Sequence, residues 1–144
     1  MSEVVLAGAG GHAKAIVEVI AAHGHKVTAY VDPQTVDWLD VEHLTDDTEV
    51  DEGATVAIGV GGVSPNALVR RLKLVDAYLE RGCTLMTIVH PTAYVSETAD
   101  VGSGAIILAG AVVQPATRIG RGALINTCAV LEHDCVMEAG AHLA

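Results

Sequence analysis

From Val89 onward an aliphatic side chain returns at every sixth residue: Val89, Val95, Val101, Ile107, Val113, Ile119, Ile125, Leu131, Met137 and Leu143. Four residues after each of these except the last stands a small side chain, namely Ala93, Ala99, Ala105, Ala111, Thr117, Ala123, Ala129, Cys135 and Ala141. With Val, Ile, Leu and Met at roughly a third of the chain, such a register arises by chance about once in 10⁵ sequences. Six is neither the strand period nor the helix period. It suits a coil with three short flat sides, each sending one aliphatic residue inward and leaving little room beside the corner. Three hexads make one turn, and that larger period is visible: Val101-Gly102-Ser103-Gly104-Ala105 returns as Ile119-Gly120-Arg121-Gly122-Ala123, and more loosely as Met137-Glu138-Ala139-Gly140-Ala141. Stacked coils of this kind bury one continuous aliphatic column. The pattern predicts a left-handed parallel β-helix of hexapeptide repeats, a known exception to right-handed crossovers.

The front of the chain has different periods. Val4 to Ala7 is a short apolar run ending in Gly8-Ala9-Gly10-Gly11-His12, and Ala13 to Ala22 then carries helical spacing in Ile16, Val17 and Ile20. Lys26 to Val31 and Thr55 to Ile58 read as further strands, and Ala67 to Glu80 as a second helix ending near Gly82. Alternating strands and helices predict a small Rossmann-like parallel sheet, an α/β unit. The acidic stretch 34–53 is weakly patterned and is expected to be loop with at most a short helical turn. The resulting division is an α/β domain over residues 1–88 and a β-helix over 89–144.

Composition narrows the function. A formal charge of -10 with only 8 Lys and Arg excludes broad phosphate neutralisation, so no nucleic-acid partner is expected. Cys83, Cys128 and Cys135 lack zinc-site spacing, and Met1-Ser2-Glu3 leads straight into a strand without a basic and apolar leader. These features predict a reduced, cytoplasmic protein with no membrane span.

In order, Gly8-Ala9-Gly10-Gly11-His12-Ala13-Lys14, Val31-Asp32, Ala57-Ile58-Gly59, Ile88-Val89-His90-Pro91-Thr92-Ala93, Ile125-Asn126-Thr127 and Glu132-His133-Asp134-Cys135 span nearly the whole chain. Together with the hexad register they resemble the sugar O- or N-acetyltransferases of the sialic acid and bacillosamine type. The resemblance implies acetyl transfer from acetyl-CoA to a sugar amine or hydroxyl, often on a UDP-linked 4-amino sugar held by the N-terminal domain. It also implies a homotrimer with the coenzyme between neighbouring β-helices, and a general base at His133. Relatives of this type continue for several coils past the position of His142, so part of the coenzyme groove is expected to lie beyond Ala144. The Val60-Gly61-Gly62 segment departs from the polar residues common there.

Each motif has a chemical logic. Gly8, Gly10 and Gly11 let the backbone approach a phosphate, and the first amides of the following helix point at it. The same string with Asp32 satisfies the dinucleotide fingerprint. Fewer than 90 residues precede the β-helix, however, too few for both halves of a dinucleotide fold. A nucleotide-sugar is therefore favoured over NAD, with Asp32 near the nucleoside, Gly59 beside it, and His12 and Lys14 contacting phosphate or sugar unless they face solvent. An acceptor must lose a proton as it attacks a thioester, and an imidazole of ordinary pKa about 6.5 can take it near neutral pH. A carboxylate must orient that ring. Glu132 and Asp134 both flank His133, and neighbours along a strand point to opposite faces unless a turn separates them. The resemblance favours Asp134 for the orienting role.

By the same resemblance Asn126 helps place acceptor or coenzyme and His142 contacts the coenzyme, with fraying expected so near the chain end. A zinc site is not expected, because His133 and His142 stand without a third ligand. A nucleotide-sugar-binding trimeric module without turnover is the competing function, and an NAD-binding protein the third.

Overall fold

The computed structural model describes residues 1–144. Its front half is a five-stranded sheet of β1 (Glu3–Ala7), β2 (Lys26–Val31), β3 (Glu42–Leu44), β4 (Thr55–Ile58) and β5 (Thr84–Leu85), with α1 (Gly11–Ala22) and α2 (Pro65–Glu80) between them. The strand order is β3-β2-β1-β4-β5 and every pairing is parallel. Alternate residues of a strand face opposite ways, so the two helices find two apolar faces. Val4 and Leu6 pack with Ile16, Val19 and Ile20 of α1. Ala7, Val56 and Ile58 pack with Val75 and Tyr78 of α2. Both helices begin slightly earlier than their apolar spacing predicts. Gly10 starts α1 without a side-chain cap, whereas the Ser64 hydroxyl accepts from Ala67 N and Pro65 opens α2.

The acidic segment is more ordered than expected. It contains β3 and a 3₁₀ turn at Asp47–Glu49, closed by a capping box in which Asp46 accepts from Thr48 N and Glu49 accepts from Asp46 N. Tyr78 donates to the Asp47 carboxylate, and Arg81 donates to the Asp47 and Val50 carbonyls, which pins this turn to the end of α2. Burial, then the hydrogen bond to Asp47, pushes the Tyr78 phenol well above its ordinary range.

The rear half is built from two-residue strands: β6 (Ile88–Val89), β7 (Tyr94–Val95), β8 (Asp100–Val101), β9 (Ile106–Ile107), β10 (Val112–Val113), β11 (Arg118–Ile119), β12 (Leu124–Ile125), β13 (Val130–Leu131), β14 (Val136–Met137) and β15 (His142–Leu143). They stack into three parallel sheets, β7-β10-β13, β8-β11-β14 and β6-β9-β12-β15. Partners lie 18 residues apart, as in Val112 with Val130 and Leu124 with His142. This is the left-handed β-helix, and the hexad aliphatics are the second, inward residue of each strand. Ile107, Val113, Ile119, Ile125, Leu131 and Met137 form its buried column with Ala105, Ala111, Ala123 and Ala129.

The corners repeat as strictly as the sides. Gly104, Gly110, Ala116, Gly122, Cys128, Asp134 and Gly140 all take positive φ, one every sixth residue, because each corner turns through the left-handed region. One edge of the prism receives the front half. A Cβ on Gly104, Gly122 or Gly140 would meet Leu85, Val75 or Leu72 respectively, so this line of glycines lets α2 and β5 approach. On the adjoining face the outward residues Ile88, Ile106 and Leu124 are buried together with α1. Arg121 on the same edge pairs bidentately with Asp76 of α2 at 2.7 and 3.0 Å.

Candidate functional site

The sequence-predicted residues separate into three places. The first lies at the carboxyl ends of the strands, where the order reverses between β1 and β4, the switch point at which open α/β sheets bind ligands. Here β1 and β4 run so close that glycine is required on both. Gly8 has φ +95, and a Cβ on it would stand 2.5 Å from Val60 Cγ2. A Cβ on Gly59 would run into the Gly8 carbonyl. Gly10 and Gly11 have open space around them, so the uncapped first turn of α1 can be approached by an anion. Asp32 closes the turn from the other side, its Oδ2 accepting from Ala9 N at 3.1 Å and its Oδ1 from Gln34 N at 3.0 Å. The adjoining cleft, about 280 Å³, is lined among others by Gly8, Asp32, Asp46, Asp47, Val60 and Leu74. Its walls carry the carboxylates of Asp32, Asp46 and Asp47, which can accept from hydroxyl and N–H donors. Lys14 Nζ lies 5.7 Å from the ring centroid of Trp38, whose indole donates to the Ala9 carbonyl of the glycine turn at 3.1 Å.

The second place is the joint between the two halves, and it brings together His12, Asn126 and His142. His142 is held rather than frayed. Its Nδ1 lies 3.0 Å from the Gly62 carbonyl and its Nε2 lies 3.3 Å from Asn126 Nδ2. A carbonyl only accepts, so Nδ1 carries the proton and Nε2 accepts a hydrogen bond from the Asn126 amide. Asn126 is oriented accordingly, because its Oδ1 accepts from Thr127 N at 2.8 Å. His12 sits on the first turn of α1 with its ring against Gly61, where a Cβ would come 3.1 Å from Cγ. Burial, then Arg71, then His142 lower its pKa below the ordinary imidazole value, so it is neutral at pH 7.

Arg71 escaped the sequence reading. It is 1% exposed, donates from Nε to Val60 O at 2.8 Å and from Nη1 to the Gly122 carbonyl, and burial brings its pKa down to about 10. Its signal was a charged residue on the apolar stripe of a helix, four residues from both Ala67 and Val75.

The third place is the corner between β13 and β14. Here the polar triplet Glu132-His133-Asp134 projects from the coil, and Asp134 takes the left-handed corner position with φ 59. That turn removes the strand-neighbour obstacle: the carboxylate folds back so that Oδ2 accepts from His133 Nδ1 at 2.7 Å. The other ring nitrogen, Nε2, is left with its lone pair free. The hydrogen bond and charge of Asp134, and more weakly the charge of Glu132, hold the His133 pKa above the ordinary imidazole value. Both side chains are open, 73% and 74% exposed. His133 and Asn126 occupy adjacent corners of one coil, separated by the face that carries Tyr94, Val112 and Val130.

No group of three or more His, Cys, Asp or Glu side chains is placed to hold a metal ion. No helix is long and apolar enough to cross a membrane. A Rossmann-like sheet docked on a left-handed hexapeptide β-helix, with a carboxylate-paired histidine on an exposed corner, defines the hexapeptide-repeat acyltransferase class.

Comparison with known proteins narrows the class. Residues 3–71 match the family described as PglD N-terminal domain. The chain is similar to PerB from Caulobacter crescentus, solved in complex with CoA and GDP-perosamine, at 33% identity and a TM-score of 0.84, covering 99% of this chain and 68% of that one. It is also similar to the acetyltransferase domain of PglB from Neisseria gonorrhoeae in complex with acetyl coenzyme A, at 29% identity and a TM-score of 0.85, covering 97% and 69%. A histidine variant of the Caulobacter crescentus GDP-perosamine N-acetyl transferase matches at 31% identity and a TM-score of 0.84, covering 99% and 68%. The chain belongs to the PglD-type family of amino-sugar acetyltransferases.

Proposed function

We propose that this acetyltransferase moves acetyl from acetyl-CoA to the amine, or alternatively the hydroxyl, of a nucleotide-linked sugar, with a UDP-linked 4-amino sugar as the favoured acceptor. A GDP-linked 4-amino sugar is the nearest variant, because the similar PerB was solved with GDP-perosamine. Residues 1–88 hold the nucleotide-sugar, with phosphate at Gly8, Gly10 and Gly11, the nucleoside toward Asp32 and Gly59, and His12 and Lys14 on the sugar side. Residues 89–144 carry the transfer. The acceptor nitrogen attacks the thioester carbonyl, His133 Nε2 takes the proton it sheds, and the C–S bond breaks as His133 passes that proton to the sulfur, so that CoA leaves as the thiol. Asp134 holds Nδ1 protonated and offsets the charge that the ring acquires. Asn126 and His142 contact the coenzyme side.

The observation that carries this reading is the His133–Asp134 hydrogen bond, which leaves a basic nitrogen facing outward. Two further features fit it. Tyr94 and Val130 are 56% and 47% exposed in one apolar column with Val112. A homotrimer packed through that face would place the His133 and Asn126 corners, which flank it, at the junction between copies. Cys83, Cys128 and Cys135 are all free thiols, which suits a cytoplasmic enzyme.

The test is thiol release from acetyl-CoA with UDP- and GDP-linked 4-amino sugars. His133→Ala is expected to lower kcat/KM by about 10²–10⁴ with nucleotide-sugar binding retained. Tight nucleotide-sugar binding without thiol release by the unaltered chain would assign it instead to a non-catalytic binding module.

A further inference from the structure

The Val60-Gly61-Gly62 segment serves no step so far, yet it touches every element of the joint. Gly61 lies against the His12 ring. Gly62, at φ +146, lies against Ala67 of α2, and its carbonyl accepts from His142. The Val60 carbonyl accepts from Arg71, whose second bond runs to the carbonyl of Gly122 on the β-helix corner. One buried guanidinium therefore ties loop, helix and coil together. It has no carboxylate partner among its contacts, and Arg71 Nη2 and His12 Nε2 are both buried with no hydrogen-bond partner within the protein. A buried cation without a counter-ion is costly to stability, and the apolar stripe of α2 would accept a Met or Leu in its place.

We propose that Arg71 is a positioning residue for acetyl transfer: its guanidinium sets the Val60–Gly62 loop between α1 and the coil, and thereby fixes the His12 and His142 rings that the loop touches at the joint. The proposal rests on the reading above that this joint serves the transfer site. The groups that face His12 are Arg71 from α2 and His142 from β15, both of which disfavour a second positive charge. Both ring nitrogens of His142 are engaged in hydrogen bonds. A proton on Nε2 would confront the Asn126 amide donor, and that amide cannot flip without turning its NH₂ onto Thr127 N. Arg71 thus supplies the fixed charge between the halves at this point.

Two substitutions test this, Arg71→Met, which removes the charge at similar volume, and Arg71→Lys, which keeps the charge but loses the planar two-carbonyl fork. The first readout is the titration of ¹⁵N-labelled histidines by NMR, with His12 and His142 assigned from His12→Gln and His142→Gln spectra. It requires no turnover, so it stands even if the acetyltransferase reading fails. In Arg71→Met the His12 titration is expected to move up by about one pH unit, and in Arg71→Lys to stay within a few tenths of the unaltered chain. The second readout is kinetic: KM for the nucleotide-sugar rises by about tenfold in Arg71→Met and about threefold in Arg71→Lys, with kcat changed less than KM. Identical titration curves in all three proteins, or variants that lose melting temperature while KM holds, would overturn the proposal and leave Arg71 a structural brace. If Arg71→Met fails to fold, Arg71→Lys decides alone, because a raised KM with an unmoved His12 titration supports positioning and an unmoved KM refutes it.

Discussion

Replacing Gly122 by Ala asks how tightly α2 is seated on the β-helix. Gly122 has φ +64, where an alanine costs about 1 kcal/mol. A Cβ there would also stand 2.8 Å from Val75 Cγ2 and 3.1 Å from Cγ1. Val75 is fully buried, so α2 must shift, an overpacking cost of about 1–3 kcal/mol. The sum is about 2–4 kcal/mol, or about 6–16 °C in melting temperature for a chain of this size. Gly110→Ala is the control. Its φ of +68 carries the same conformational cost, but its Cβ would meet Cys128 Sγ at 3.0 Å, the tip of an exposed side chain that can rotate away. That variant is expected to lose only about 1 kcal/mol. Ala116, at φ 58, is a natural precedent for a corner that takes a Cβ. Urea unfolding of both variants measures the difference. Equal losses would refute the claim that Gly122 is glycine because α2 packs on it.

Other predictions concern the site and the assembly. Asp134→Asn keeps a residue that tolerates the left-handed corner but removes the charge that raises the His133 pKa. The base proposed at His133 works unprotonated, so the acid limb of kcat/KM in the unaltered enzyme is expected above the ordinary imidazole value. In the variant it moves down toward that value while the plateau rate falls, and a pH–rate profile whose limb stays put would detach the limb from His133. Val130→Glu and Tyr94→Glu place charges on the exposed apolar column without touching the buried one. Sedimentation is expected to show trimers for the unaltered chain and monomers for the double variant, and a trimer in both would move the interface elsewhere.

Much of this molecule was legible in order along the chain. The hexads marked the inward residue of every coil strand from Val89 to Leu143, and the run Gly8 to His12 marked the strand-to-helix turn. Residues 34–53 look like loop in the sequence because their signals are short: β3 is three residues long, and the Asp46 to Glu49 capping box closes only a 3₁₀ turn. The outward apolar residues Ile88, Ile106 and Leu124 also recur every 18 positions, a mark of the face that docks on α1, but the stronger inward hexad masks them.

What the sequence determined by itself is the part governed by local repetition. A period of six with a small residue four places on admits one coil, and glycine or a tolerant residue at every sixth position supplies its corners. The pairing of His133 with Asp134 lies at the limit of that reading, since both residues are plain in the sequence but their contact depends on the left-handed turn between strands. Only the tertiary structure decided that Arg71 is buried, that His12, Asn126 and His142 meet, and that His142 is held in one tautomer. Those contacts join residues as far apart as Gly62 and His142. They exist because the two halves dock along a glycine edge, and desolvation, hydrogen-bond direction and charge coupling follow from that docking rather than from any local pattern.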